Sequence, residues 1–149
     1  MNIYFAASIR GGRSDVEIYE QLIKYLSNFG EVLTEHVADK KITSTGEEDP
    51  RDEFIHSRDL EWLLQSDVIV AEVSTPSLGI GYELGRAVEH NKRILCLYRP
   101  QEGKRLSAMI AGCKNITNAE YYTIDEAKRE IDIFFKAHPL MSIHGRQNI

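Results

Sequence analysis

The sequence predicts an α/β domain: a Rossmann-like, doubly wound fold with helices on both faces of a five-stranded, mostly parallel sheet. Three observations carry this. Residues 67–73 and 93–98 are near-continuous apolar runs of strand length, the pattern of strands covered on both faces. Segments of helical periodicity separate the strand-like runs, so strand and helix alternate along the chain and call for right-handed crossovers. The 149 residues, 42% hydrophobic and 28% charged with 10 Gly and 4 Pro, suit one core that needs no disulfide or metal staple.

Taken in order, residues 2–7 form the first strand, which stops at the turn Ser8-Ile9-Arg10-Gly11-Gly12-Arg13. The first helix starts at Ser14, at capping-box spacing from Glu17. Val16, Tyr19, Leu22, Ile23 and Leu26 recur at helical intervals, and Gly30 stands where a left-handed C-terminal cap belongs. Residues 31–34 read as a short second strand, and the uneven polar stretch 38–49 as a mobile loop. Asp49-Pro50 opens the second helix, with Phe54, Ile55, Leu60, Leu63 and Leu64 as its buried stripe. After the third strand, residues 74–81 form a loop, 82–90 a helix and 93–98 the fourth strand. Residues 106–111 are a short helix, 121–124 the last strand, and 125–137 a terminal helix with Ala127, Ile131, Phe134 and Phe135 on one face. One domain thus spans 1–138, followed by a frayed tail over 139–149.

The 18 basic against 23 acidic residues, net −5, argue against a protein that tracks a nucleic-acid polymer by charge. A phosphorylated small molecule needs only a local pocket and stays open. Cys96 lies inside an apolar run and Cys113 follows a helix, with no CxxC pair or bridge pattern, which reads as a reducing compartment: cytoplasm, or nucleus. Met1 leads directly into a strand without a leader's apolar core. No stretch approaches the ~18 consecutive apolar residues of a membrane span.

In an open α/β sheet the ligand crevice lies beyond the carboxyl ends of the strands. The loops there carry Ser8, Arg10, Gly11 and Gly12 after the first strand, and Glu35 and His36 after the second. After the third come Ser74, Thr75 and Ser77, with Gly79 and Gly81. Two glycine-rich turns at helix N-termini offer amide groups and positive dipole ends to phosphate. Neither is a Walker loop, and Gly79, Gly81 and Gly85 miss the dinucleotide spacing by one residue, against ATP hydrolysis and hydride transfer. Glu83, read as lying in the first turn of the following helix, complements the dipole on position alone, worth ~0.3–1 kcal/mol. An ionised carboxylate beside a phosphate-binding turn can also attack or stabilise an electrophilic sugar carbon. A second carboxylate is then needed, and Asp59 or Glu61 on the second helix supplies it. Tyr4 and His36 read equally as packing residues. No His/Cys/Asp/Glu set has metal spacing, and no GxSxG elbow is present.

The segments Tyr4-Phe5-Ala6-Ala7-Ser8-Ile9-Arg10-Gly11-Gly12-Arg13, Val32-Leu33-Thr34-Glu35-His36-Val37, Asp59-Leu60-Glu61-Trp62 and residues 70–100, with Pro76-Ser77-Leu78-Gly79-Ile80-Gly81-Tyr82-Glu83-Leu84-Gly85-Arg86-Ala87 inside them, carry a specific resemblance. From residue 2 to about 111 the chain resembles the 2′-deoxynucleoside 5′-phosphate N-hydrolases of the nucleoside 2-deoxyribosyltransferase superfamily. The resemblance implies cleavage of the N-glycosidic bond of deoxynucleoside monophosphates, without cofactor or metal, to free base and 2-deoxyribose 5-phosphate. It implies Glu83 as nucleophile, Asp59 as acid/base, and Tyr4 orienting the nucleophile and crowding the position of a 2′-hydroxyl. It implies that Ser77, the backbone at Gly79 and Ser107 from the other subunit of a homodimer hold the 5′-phosphate. Ala7, Ser8, Ile9, Arg10 and Gly11 would line the sugar and base side, Ala7 standing where relatives commonly place glycine. A deoxyribosyltransferase or ribonucleotide N-glycosidase of the same superfamily, and a non-catalytic nucleotide-binding module, are the rival readings.

Overall fold

The computed structural model describes residues 1–8, 15–34 and 51–137. Strands β1 (Asn2–Ala6), β2 (Glu31–Val32), β3 (Val68–Glu72), β4 (Arg93–Tyr98) and β5 (Thr117–Glu120) form one sheet in the order β2-β1-β3-β4-β5. Every pairing is parallel. Helices α1 (Val16–Leu26) and α5 (Ile124–Ala137) cover one face, and α2 (Asp52–Gln65), α3 (Leu78–Glu89) and the short α4 (Ala108–Ala111) the other.

Strand periodicity divides the core into these two layers. Ile3 and Phe5 of β1 pack with Tyr19, Leu22 and Leu26 of α1 and Ala127, Ile131 and Phe134 of α5. Tyr4 and Ala6, one residue out of phase, pack with Leu63 of α2 and Ile80, Leu84 and Ala87 of α3. All five residues of β3 are buried, as a central strand requires.

Several expected boundaries move, each for a local reason. The last strand is residues 117–120, not 121–124. Thr117-Asn118-Ala119-Glu120 buries only Ala119 at the sheet edge, so it lacks the apolar pattern by which strands are recognised. Tyr121 is buried instead as a packing residue, and Thr123 opens α5. The Thr123 hydroxyl accepts from Glu126 N at 3.3 Å while the Glu126 carboxylate accepts from Thr123 N at 3.4 Å, a capping box. The box expected at Ser14 falls outside the described residues. Asp15 stands at the N-cap of α1, and its carboxylate pairs with Arg99 at 2.8 Å rather than capping.

Gly30 is not a left-handed cap, since α1 ends at Leu26 with Ser27 as its C-cap and Gly103 is the one glycine with positive φ among the described residues. A side chain is excluded at Gly30 because a Cβ would stand 2.3 Å from the Met1 carbonyl oxygen. The opening of α2 at Asp49-Pro50 also lies outside the described residues; Arg51 is its N-cap. Of its expected stripe only Leu63 is buried, and Phe54 is 56% exposed. The second strand stops at Val32, two residues early, and a side chain completes its pairing. The Thr34 hydroxyl accepts from Phe5 N at 2.8 Å and donates to Phe5 O at 2.6 Å.

Candidate active site

The strand order reverses direction between β1 and β3, so the crevice of this sheet opens at their carboxyl ends, facing α2 and α3. Ser77 positions α3. Its Oγ accepts from Ile80 N at 3.4 Å as an N-cap, and the helix begins at Leu78, four residues before the expected start. Gly79 and Gly81 therefore belong to the first turn of α3 rather than to a loop. A Cβ at Gly79 would meet only Ser77 Oγ, at 3.7 Å, and one at Gly81 nothing within 4 Å. Packing within the chain does not demand these glycines; their effect is to leave the first-turn amides uncovered.

The earlier helix start moves Glu83 out of the first turn, which holds no acidic residue. Its partner is not the dipole but Tyr4, which reaches from the middle of β1 and donates to Glu83 Oε1 at 2.7 Å. Tyr4 is only 2% exposed, so the contact closes the floor of the crevice. Burial raises the Glu83 pKa to about 7; the Tyr4 hydrogen bond works against this, and the charge of Asp59 adds to it. Burial, then Glu83 and Asp59, push the Tyr4 hydroxyl far upward, which keeps it a proton-bearing donor.

Asp59 and Glu61 were equal candidates by spacing, and the structure separates them. Asp59 is near enough to act on Glu83, whereas Glu61 is exposed and accepts from Gln65 Nε2 at 3.1 Å along its own helix. Arg58 Nε donates to Asp59 Oδ1 at 2.9 Å, with the guanidinium 4.8 Å over the Trp62 ring. The pair of carboxylates thus has one member whose pKa burial raises and one hydrogen-bonded to a cation. Tyr4→Phe removes the bond that favours ionised Glu83. The midpoint of that carboxyl, followed by carbon-13 NMR, is expected to move above 7, and an unchanged midpoint would mean that the bond does not stabilise the charge.

Ala7 is buried in the core on the α1 and α5 side, and Ser8 is fully buried with an Oγ that has no partner. Ile9, Arg10 and Gly11 lie outside the described residues, as do Gly12, Glu35 and His36. Ser107 is exposed and caps α4, its Oγ accepting from Met109 N at 3.3 Å. The sequence reading missed the buried support of the β3–α3 loop. Glu72 accepts from Ser74 N at 2.6 Å and from the Tyr121 hydroxyl at 3.1 Å, and Ser74 Oγ accepts from Arg99 N at 2.8 Å. Burial raises the Glu72 pKa. A lone acid ending an apolar strand was the available signal.

Residues 3–128 match the family described as nucleoside 2-deoxyribosyltransferase. A Danio rerio protein named 5-hydroxymethyl-dUMP N-hydrolase is 54% identical over 138 residues, spanning 91% of this chain and 96% of its own length. A Homo sapiens protein of the same name is 53% identical over 140 residues, spanning 92% of this chain and 80% of its own. The structure of the Clostridium botulinum CMP N-glycosidase BcmB shares the fold, with TM-score 0.64 and 19% identity over 89% of this chain and 99% of that one.

Proposed function

The chain belongs to the nucleoside 2-deoxyribosyltransferase family, and from that premise we propose that it hydrolyses the N-glycosidic bond of 2′-deoxynucleoside 5′-monophosphates. The products are free base and 2-deoxyribose 5-phosphate. 5-Hydroxymethyl-dUMP, the compound in the names of the two relatives, is the substrate to try first. The observation that carries the reading is the 2.7 Å contact between Tyr4 and a half-buried Glu83 that also feels Asp59.

Ionised Glu83 attacks C1′ as the bond to the base breaks, forming a glycosyl ester and sending the bonding pair out with the base. Asp59 hands the departing base a proton. Water then attacks C1′, Asp59 takes its proton back from that water, and Glu83 leaves as carboxylate, so the proton transfers cancel over one turnover. Tyr4 holds Glu83 in line and fills the space of a 2′-hydroxyl, which favours deoxy substrates. Arg58 holds the Asp59 carboxyl in place through the 2.9 Å contact of its Nε with Oδ1. Ser77 and the amides at Gly79 take the 5′-phosphate. Ala7, Ser8, Ile9, Arg10 and Gly11 border sugar and base. No step needs a cofactor or a metal.

The protein works as a homodimer in which Ser107 of one subunit completes the phosphate site of the other. Large apolar side chains stand exposed on the helices around the crevice: Leu78 at 96%, Met109 at 82%, Phe54 at 56% and Tyr82 at 48%. Leu78 directly follows Ser77, and Met109 lies two residues after Ser107. A second copy is the covering that this surface calls for. Cys96 and Cys113 are free thiols, that of Cys96 pushed up to about 12 by burial, which suits cytoplasm or nucleus. No helix among the described residues is long and apolar enough to cross a membrane.

Base release from deoxynucleoside and ribonucleoside monophosphates, followed by chromatography, tests the activity. Release from the deoxy series alone is expected. Faster cleavage of ribonucleotides would establish the ribonucleotide glycosidase, a new nucleotide formed on adding a second base would establish the transferase, and binding without release the non-catalytic module. Mixing inactive Ser107→Ala and Glu83→Ala subunits tests the dimer. Shared sites restore about a quarter of wild-type activity for statistical pairing, and self-contained sites restore none.

A further inference from the structure

We propose that Glu72 is a positioning residue of the 5′-phosphate site: from the opposite face of the sheet it fixes the turn that presents Ser77 and the first-turn amides of α3. This role rests on the reading of Ser77 and the Gly79 amides as the phosphate site. Glu72 ends β3 after four apolar residues, Val68, Ile69, Val70 and Ala71, and is 1% exposed. It is in phase with Val68 and Val70, which pack on the α1 and α5 side, whereas Ile69 and Ala71 share the layer of Tyr4. Its carboxyl meets Tyr121, a member of the α1 and α5 core. Glu72 therefore acts on the crevice only through the chain that follows it.

That chain is held at its first position beyond the sheet. The pairing of β3 with β1 ends at Ala71, and its ladder with β4 ends where Val73 N donates to Leu97 O. The Ser74 amide is the first past both, and Glu72 Oε1 accepts from it at 2.6 Å. Glu72 Oε2 accepts from the Tyr121 hydroxyl at 3.1 Å, so both carboxyl oxygens are engaged. The Ser74 hydroxyl accepts from Arg99 N at 2.8 Å, and the Arg99 guanidinium donates to Asp15 Oδ1 at 2.8 Å, at the N-cap of α1. Ser74 is thereby tied to the ends of β3 and β4 and, through Arg99, to the start of α1. Only Thr75 and Pro76 separate it from Ser77, and the ring of Pro76 fixes φ there. A displacement of Ser74 carries to Ser77, whose Oγ caps α3.

Closing a surface turn does not call for a buried acid, because water can serve a loop amide. Here the amide is drawn inward instead, and the carboxyl that receives it bears a cost. Burial pushes the Glu72 pKa upward against the hydrogen bonds from Ser74 and Tyr121, and the charge of Asp15 adds to the rise. An ionisable group kept in the core on those terms specifies a geometry rather than adding stability. The geometry specified is the direction in which the chain leaves β3 for Ser77.

The test compares wild type with Glu72→Met, Glu72→Gln and Tyr121→Phe. Base release from 5-hydroxymethyl-dUMP gives kcat and KM, and NMR titration of the nitrogen-15-labelled full chain with 2-deoxyribose 5-phosphate, followed at the Ser77 to Ile80 amides, gives the product Kd. Methionine is similar in length to Glu but leaves the buried Ser74 amide without a good acceptor. It is expected to raise KM and the product Kd by about tenfold, the scale of one or two misplaced hydrogen bonds, with kcat within about threefold of wild type. Glutamine keeps an oxygen for Ser74 N and offers its amide to the Tyr121 oxygen, so every constant should stay within about threefold of wild type. Tyr121→Phe keeps the ring in the core and frees one carboxyl oxygen, and KM should rise by about two- to fivefold at unchanged kcat. A merely structural Glu72 would lower the melting temperature in Glu72→Met and leave KM and the product Kd at wild-type values below the melt, which overturns the role. A glutamine variant as impaired as the methionine one overturns it too. If Glu72→Met does not fold, an unchanged KM in Tyr121→Phe does the same. Wild-type amides that ignore 2-deoxyribose 5-phosphate would sink the phosphate reading and this role together, whereas wild-type shifts that persist unchanged in Glu72→Met sink this role alone.

Discussion

Glu83→Gln is expected to slow base release by roughly 10³-fold or more, the scale for loss of a covalent nucleophile, and at the same time to stabilise the protein at pH 8. The second effect follows from the sign of the pKa shift. The folded-state carboxyl titrates at about 7 and its reference value is 4.5, so between those pH values the folded chain holds a proton that the unfolded chain has lost. Stability therefore falls as pH rises from about 4.5 to about 7 and is flat above. The cost of the ionised carboxylate is on the order of 3 kcal/mol. Glutamine carries no charge and keeps an oxygen for the Tyr4 hydroxyl. It should raise the melting temperature by several degrees at pH 8, at roughly 2–4 °C per kcal/mol for a chain of this size, and leave it unchanged at pH 4. Thermal melts at the two pH values decide the matter: a lower melting temperature at pH 8 would mean that Glu83 sits comfortably as a carboxylate and is not poised to react.

Asp59→Asn is expected to lower kcat by roughly 10²–10⁴-fold, the span of general acid–base catalysis. It also removes the charge that raises the Glu83 pKa, so the acidic limb of kcat/KM against pH should move to lower pH. Tyr4→Phe moves the same limb the other way, because the bond it deletes lowers that pKa. General damage to the crevice cannot produce opposite displacements. Profiles with 5-hydroxymethyl-dUMP as substrate provide the measurement, and a common direction for both variants would break the link between these three side chains.

The parts of the molecule readable from sequence were those that depend on local pattern. Residues 68–72 and 93–98 announce themselves because a strand buried on both faces needs apolar residues at every position. Thr117-Asn118-Ala119-Glu120 gives no such signal, since an edge strand with one buried residue is held by its main-chain pairing with β4. The start of α3 was misplaced because Gly79 and Gly81 suggest a loop, while the single oxygen of Ser77 is enough to begin the helix ahead of them. That error put Glu83 beside a dipole rather than beside Tyr4. The pairing of Tyr4 with Glu83 spans 79 positions and two elements, and no spacing rule reaches so far; family resemblance supplied it. Glu72 stayed unnoticed for a similar reason, as its partner Tyr121 is 49 positions away. Of the apolar stripe expected on α2 only Leu63 is buried, because periodicity does not say which side of a helix meets its own core.

Thr34 shows how the sheet can end without a strand. By serving both main-chain groups of Phe5 with one hydroxyl, it seals the ladder next to Tyr4. The part of β1 that presents Tyr4 to Glu83 is thus pinned by a single side-chain oxygen where a longer β2 would have used main chain alone.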